Sequence, residues 1–156
     1  MIPDKQTRES STGVRDDAFG LELTVIVPVF NEETNITTLY ERVTKTLQTY
    51  GKSYELLFVD DGSTDRSFEK LAALHAEDAR VRVIRFARNF GQQAATTAGL
   101  QNARGKVVVL IDADLQIPPE DIPRLVDKLH EGYDIVYGVR KGRVGSFIRR
   151  MGSWGV

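Results

Sequence analysis

Two aspartates one residue apart, Asp112 and Asp114, close the apolar run Val107-Val-Val-Leu-Ile111. Four of the five apolar residues are β-branched, and the run predicts a strand buried on both faces. In extended chain, residues i and i+2 point to the same side, so both carboxylates should leave the strand's carboxyl end together. Gln116, two residues further on, would add a neutral oxygen to that side. Two anions so placed repel each other. The compensator suited to oxygen ligands is a divalent cation, Mg²⁺ or Mn²⁺, shared with a substrate phosphate. The plainer alternative is a turn in which one aspartate caps the next helix.

A second acidic pair, Asp60-Asp61-Gly62-Ser63, ends the apolar stretch Tyr54 to Val59. One aspartate suffices for an Asx-type turn with Ser63 as a helix cap, and the other is left over. A carboxylate there can accept from a ribose hydroxyl or a base N–H, which points to nucleoside binding. Asn31 and Glu32 follow a third apolar strand, Leu23 to Val29, whose Pro28 lies near its end. No Gly-x-Gly-x-x-Gly and no Gly-rich loop ending in Gly-Lys-Ser/Thr is present, which argues against dinucleotide and P-loop chemistry. His75 and His130 fall on predicted helices away from these clusters, and no serine sits in a nucleophile elbow, which argues against a covalent hydrolase.

The elements that must position these residues alternate. Ile36, Leu39, Tyr40, Val43, Leu47 and Tyr50 share one helical face, closed by Gly51. A helix through Phe68, Leu71 and Leu74 follows the second strand, and Val81 to Phe86 alternates as a strand nearer a sheet edge. An Ala/Thr-rich helix spans 94–103. After the aspartate pair, Pro118-Pro119-Glu120-Asp121 starts a helix that buries Ile122, Leu125, Val126 and Leu129. Asp134 to Tyr137 is predicted as a fifth short strand. Alternating strands and helices imply a parallel sheet, right-handed crossovers and helices on both faces. Ligands of such sheets bind outside the strands' carboxyl ends, where all three polar clusters fall.

At 156 residues the chain suits one domain with a real core, and 41% hydrophobic with 28% charged residues is ordinary for a globular protein. There is no cysteine, hence no disulfide framework or thiolate metal site, and no secretory signal or transmembrane run. The net charge of −1 is unevenly spread, with five Lys/Arg and no acid from Ile135 onward. The reading is a polar leader over 1–20, a core over 21–138 and a basic tail over 139–156.

Val27-Pro-Val-Phe-Asn-Glu32, Val59-Asp-Asp-Gly-Ser63, Arg88-Asn-Phe-Gly-Gln92, Asp112-Ala-Asp-Leu-Gln116 and Gly138-Val-Arg140 together resemble the ordered motif set of family 2 glycosyltransferases. More narrowly they resemble the polyprenyl-phosphate glycosyltransferases: dolichyl-phosphate mannose synthases, bactoprenol glucosyltransferases and undecaprenyl-phosphate aminoarabinose-type transferases. The resemblance covers about Leu23 to Val156. It implies a GT-A fold, Rossmann-like with a mostly parallel sheet, and a nucleoside-diphosphate sugar donor with Mg²⁺ or Mn²⁺. Pro28, Phe30, Asn31, Glu32, Asp61 and Ala113 would then hold the nucleoside, with Asp112 near ribose and sugar. Asp112, Asp114 and Gln116 would hold the metal on the diphosphate. Arg140 and Arg149 would engage the acceptor phosphate or the departing diphosphate.

The implied reaction is a single inverting displacement onto a polyprenyl (undecaprenyl-type) phosphate, with UDP weakly favoured over GDP as carrier. The implied place is the cytoplasmic face of the plasma membrane, reached through the basic tail and later helices, with no nucleic-acid partner and a homo-oligomer left open. Family members continue beyond this point, so the chain is expected to be the donor-binding portion of a longer protein or a truncated product. An Asp-x-Asp phosphohydrolase is disfavoured because Gln116 stands where Thr or Val is usual and the motif is not on the first strand. A nucleotide-sugar or membrane-surface binding module without catalysis is the alternative.

Overall fold

A computed structural model describes residues 20–138. Its elements run β1 (Leu23–Val29), α1 (Ile36–Tyr50), β2 (Tyr54–Asp60), α2 (Ser67–Glu77), β3 (Val81–Arg85), α3 (Gln92–Asn102), β4 (Val107–Leu110) and α4 (Ile122–His130), the last preceded by one 3-10 turn (Pro119–Asp121). All four strands are parallel, in the order β3-β2-β1-β4. The fold is the expected α/β sheet with helices on both faces.

β1 and β2 are buried along their whole length, as mainly apolar runs require at the centre of a parallel sheet, and the buried Thr24 donates to Glu55 at 2.8 Å between them. The odd-numbered residues of β1 face α1, α2 and α4, where Ile36, Leu39, Val43, Leu47, Leu71, Ile122 and Val126 complete the larger core. The opposite face is covered by α3, whose Ala95 and Ala98 pack with Ile26, Leu57 and Val59. Small residues let that helix lie close. A Cβ at Gly99 would come within 2.5 Å of Ile26 Cγ2.

Two expectations about the second half of the chain are corrected. Among the described residues β4 is an edge strand and is not buried on both faces: Val109 is buried, but Val108 and Leu110 are 37% and 47% exposed. The helix on that face, α3, packs on β1 and β2 and leaves β4 uncovered. The fifth strand, Asp134 to Tyr137, is irregular, and its Ile135 and Tyr137 are exposed. Its Ile-Val-Tyr run has strand propensity, but among the described residues it finds no strand to pair with. The basic tail and the leader lie outside the described residues.

Ion pairs and hydrogen bonds hold α1 against its neighbours. Arg42 clasps Glu120 through two bonds of 2.9 and 2.6 Å, and Tyr50 donates to Asp127 at 2.6 Å, tying α1 to the segment behind β4. Asp78 accepts from Tyr40 and from Arg80. The Arg80 guanidinium is the main cause that holds the Asp78 carboxyl well below its usual range, at about 2. A depressed carboxylate stabilises the fold above its unfolded value and loses that contribution as pH falls through the folded one. Asp78→Asn should therefore reduce stability by about 1–2 kcal/mol at pH 6, with the difference fading between roughly pH 4 and 2. Urea unfolding at those pH values is the measurement, and a constant difference down to pH 2 refutes the assignment.

Candidate functional site

The site begins where two neighbouring strands part. The β1–β4 ladder ends at the pair Ile26 and Leu110, with one further bond from Ile111 N to Ile26 O at 3.1 Å. β1 runs on alongside β2 as far as Val29 and Asp60. Ile26 O turns toward β4, and Val29 O accepts from Asp61 N on the β2 side. By alternation, Pro28 turns its nitrogen toward the β4 side beyond the last ladder bond, where the ladder asks for no N–H. β1 is also where the winding reverses, since β2 and β3 lie on one side and β4 on the other. A crevice at such a reversal is the usual ligand position of an open parallel sheet.

That crevice is a cavity of about 360 Å³, lined on the β1 side by Pro28, Val29, Phe30 and Glu32, and on the β4 side by Asp112, Ala113 and Asp114. Asp61, Asn89, Gly91, Gln92 and Ala95 form the rest of the wall. Among the described residues the lining thus carries four carboxylates and no Lys or Arg.

The two aspartates after β2 divide their work. Asp60 is fully buried, and its Oδ1 accepts from Ser63 N at 3.1 Å, which is the Asx-type turn. Its Oδ2 lies 3.6 Å from Arg85 Nε. Asp61 lines the cavity and accepts from Phe90 N at 2.7 Å and Gly91 N at 2.9 Å, so it anchors the loop between β3 and α3. Each oxygen keeps a second lone pair for a ligand. Gly62 permits this closeness, with φ of +69° and a missing Cβ that would lie 2.7 Å from Arg88 Cα and from Asn89 N. Ser63 does not cap α2; its Oγ accepts from Asn31 N at 3.0 Å.

Asn31, expected against the nucleoside, is turned elsewhere. It adopts φ of +55°, and its Oδ1 accepts from Thr64 N at 2.8 Å, lacing the β1–α1 loop to the β2–α2 loop. Glu32 does line the cavity, with its backbone N held by Ser67 Oγ and its Oε2 by Asn35 Nδ2.

Asp112 and Asp114 both reach the cavity although the chain is no longer a strand there. The backbone turns through Leu115 at φ of +58°, which ends the same-side logic before Gln116. Gln116 is exposed and outside the cavity lining, and its backbone N donates to Asp114 Oδ1 at 2.9 Å. Asp112 Oδ1 accepts from Gln92 Nε2, also at 2.9 Å. Gln92 and Asn89 line the cavity as well, a role that motif order alone does not assign. Their position after β3, the fourth strand end on the same rim, is the signal that marks them. Arg140 and Arg149 lie outside the described residues.

No three His, Asp or Glu side chains converge as a metal cage among the described residues. The donors that are present fit a shared site instead. Two carboxylates open into one cavity, and a hard cation held by one or two carboxylates completes its shell with phosphate oxygens and water.

The model of glycosyl transferase family 2 matches residues 24–154. The chain is 48% identical over 125 residues to the uncharacterized glycosyltransferase YkcC of Bacillus subtilis (strain 168), which covers 80% of this chain and 39% of that protein. Among solved structures, it is similar to glucosyl-3-phosphoglycerate synthase from Mycobacterium tuberculosis in complex with Mn²⁺, uridine diphosphate and phosphoglyceric acid, at a TM-score of 0.57 and 27% identity over 70% of this chain and 39% of that one. The mannosyltransferase PcManGT from Pyrobaculum calidifontis, in complex with GDP-Man and Mn²⁺, superposes at a TM-score of 0.55 and 25% identity over 73% of this chain and 34% of that one. The chain spans about two fifths of the length of the curated relative it matches.

Proposed function

Since the chain belongs to glycosyl transferase family 2, we propose that its cavity binds a nucleoside-diphosphate sugar, with uridine as the favoured nucleoside, and serves transfer of that sugar to a polyprenyl phosphate. One observation carries the donor half: among the described residues, four carboxylates and no cationic side chain line the cavity at the sheet's reversal point. A dianionic diphosphate enters such a space only with a divalent cation. The two solved relatives with Mn²⁺ and nucleotide bound are similar in fold and support the same chemistry.

Pro28, Phe30, Glu32, Asp61 and Ala113 surround the nucleoside in this reading, and Asp112 and Asp114 hold Mg²⁺ or Mn²⁺ against the diphosphate. The bound cation would supply charge neutralisation to the departing nucleoside diphosphate. The chain's own contribution is orientation. The Asp61 anchor fixes the loop wall, and the crevice between β1 and β4 sets the direction from which an acceptor oxygen reaches the anomeric carbon. A lipid phosphate is already ionised at neutral pH and needs no strong general base, which agrees with a cavity lining that has no histidine. In-line attack inverts the anomeric centre. Arg140 and Arg149, with the basic tail at the cytoplasmic membrane surface, complete the acceptor side of the proposal on the strength of the motif set. A second reading is binding without turnover by this chain alone; the chain spans 39% of its relative's length.

Calorimetric titration with UDP, GDP and their sugars, in Mn²⁺ and in EDTA, tests the donor half. Asp114→Asn should weaken UDP binding about tenfold or more in Mn²⁺ while preserving the fold. Equal UDP affinity in Mn²⁺ and EDTA removes the metal from the proposal. Transfer of radiolabelled sugar to undecaprenyl phosphate, measured on this chain, separates the two readings.

A further inference from the structure

We infer that Gln92 is a positioning residue: its side-chain amide sets the orientation of Asp112 and thereby couples metal occupancy to nucleotide binding. The inference rests on the donor-site reading above. Gln92 is the first residue of α3 and follows directly on Gly91, whose N–H is held by Asp61. Its Nε2 donates to Asp112 Oδ1 at 2.9 Å across the cavity wall. One side chain therefore joins the loop after β3 to the loop after β4.

Asp112 needs such a support. It lies past the last ladder bond of β4, so the sheet no longer fixes its backbone. A freely rotating carboxylate would present either oxygen to the cavity. With Oδ1 engaged by Gln92, Oδ2 is left for a ligand, just as Asp114 keeps one oxygen when Gln116 N occupies its Oδ1. The donor's chemistry matters as much as its place. A lysine or arginine here would orient Asp112 but neutralise it, competing with the cation the site is built to take. A neutral amide orients without removing charge, and it eases the repulsion between the two carboxylates when no cation is bound. Hydrogen-bond partners behind metal-binding carboxylates commonly have this role.

The test is a double-mutant cycle on the full chain, read by UDP titration in Mn²⁺ and in EDTA. Gln92→Leu should weaken UDP binding about tenfold in Mn²⁺. In EDTA the change should stay within about twofold, and in an Asp112→Asn background Gln92→Leu should add no more than about twofold. Gln92 is exposed, so folding should survive; circular dichroism checks this, with Gln92→Ala as the second variant. A loss of the same size with and without Mn²⁺, or losses that add in the double variant, would show a merely structural role and overturn the inference. Wild-type chain that binds UDP under neither condition overturns the donor-site reading, and this inference with it.

Discussion

Asp61→Ala should remove measurable nucleotide binding and lower stability by about 3–6 kcal/mol, because two amide groups each lose a charged acceptor worth roughly 1.5–3 kcal/mol. Among the described residues Phe90 N and Gly91 N have no other hydrogen-bond partner, and Asp61 is itself buried, so solvent cannot readily replace the carboxylate. Against a typical total of about 5–15 kcal/mol the domain should remain folded but be easily unfolded. Asp61→Asn is the sharper variant. It preserves size, yet turns an N–H₂ toward two N–H donors unless it accepts both through one oxygen. Thermal unfolding and UMP titration measure the two effects, with UMP chosen because the diphosphate–metal contribution is smaller there. Asp61→Asn that binds UMP as wild type does refutes the assignment of Asp61 to the nucleoside wall. If Asp60→Asn is then the variant that loses UMP, the roles of the two aspartates are reversed.

Gly62→Ala should be comparably severe through a different cause. The left-handed backbone at φ of +69° costs an L-residue about 1–2 kcal/mol. The larger penalty is steric, since the new Cβ meets the backbone of Arg88 and Asn89 and not a flexible side-chain tip. The loop after β3 must move away, and both Asp61 bonds break with it. The expected loss is on the order of 3–5 kcal/mol, with UDP affinity reduced at least about tenfold. Chemical denaturation and the same titration decide it. Near-wild-type UDP affinity in Gly62→Ala would mean that the close approach of the two loops does not shape the cavity.

The chain's own order determined a good deal. Mainly apolar runs at Leu23 to Val29 and Tyr54 to Val59 specify central strands of a parallel sheet, because only two covered faces accommodate them. The spacing of Ile36, Leu39, Val43 and Leu47 specifies the buried face of α1, and Gly51 its end. With β–α alternation set, strand ends must lie on one rim, so Asp61, Asp112 and Asp114 were legible as neighbours before any coordinates. Family membership was legible as well, since five short motifs in order constrain far more than any one of them.

What sequence spacing leaves undecided is where the chain stops being regular and which elements meet across it. The apolar run before Asp112 reads the same whether it lies at the centre of the sheet or, as it does, at an edge with Val108 and Leu110 uncovered. The β-prone residues at 134–137 predict a strand, but a strand exists only where a partner offers its ladder. Asp112 and Asp114 share one cavity as the i, i+2 rule expects, although the chain there already turns and is not a strand, and the rule fails at Gln116, beyond the left-handed Leu115. The same kind of local turn at Asn31 took a side chain expected at the nucleoside and gave it to Thr64 N. Above all, the pairings of Asp61 with Phe90 and Gly91 and of Asp112 with Gln92 span 20 to 30 residues. Such contacts have no local signature, since they arise only when the sheet lays separate loops side by side.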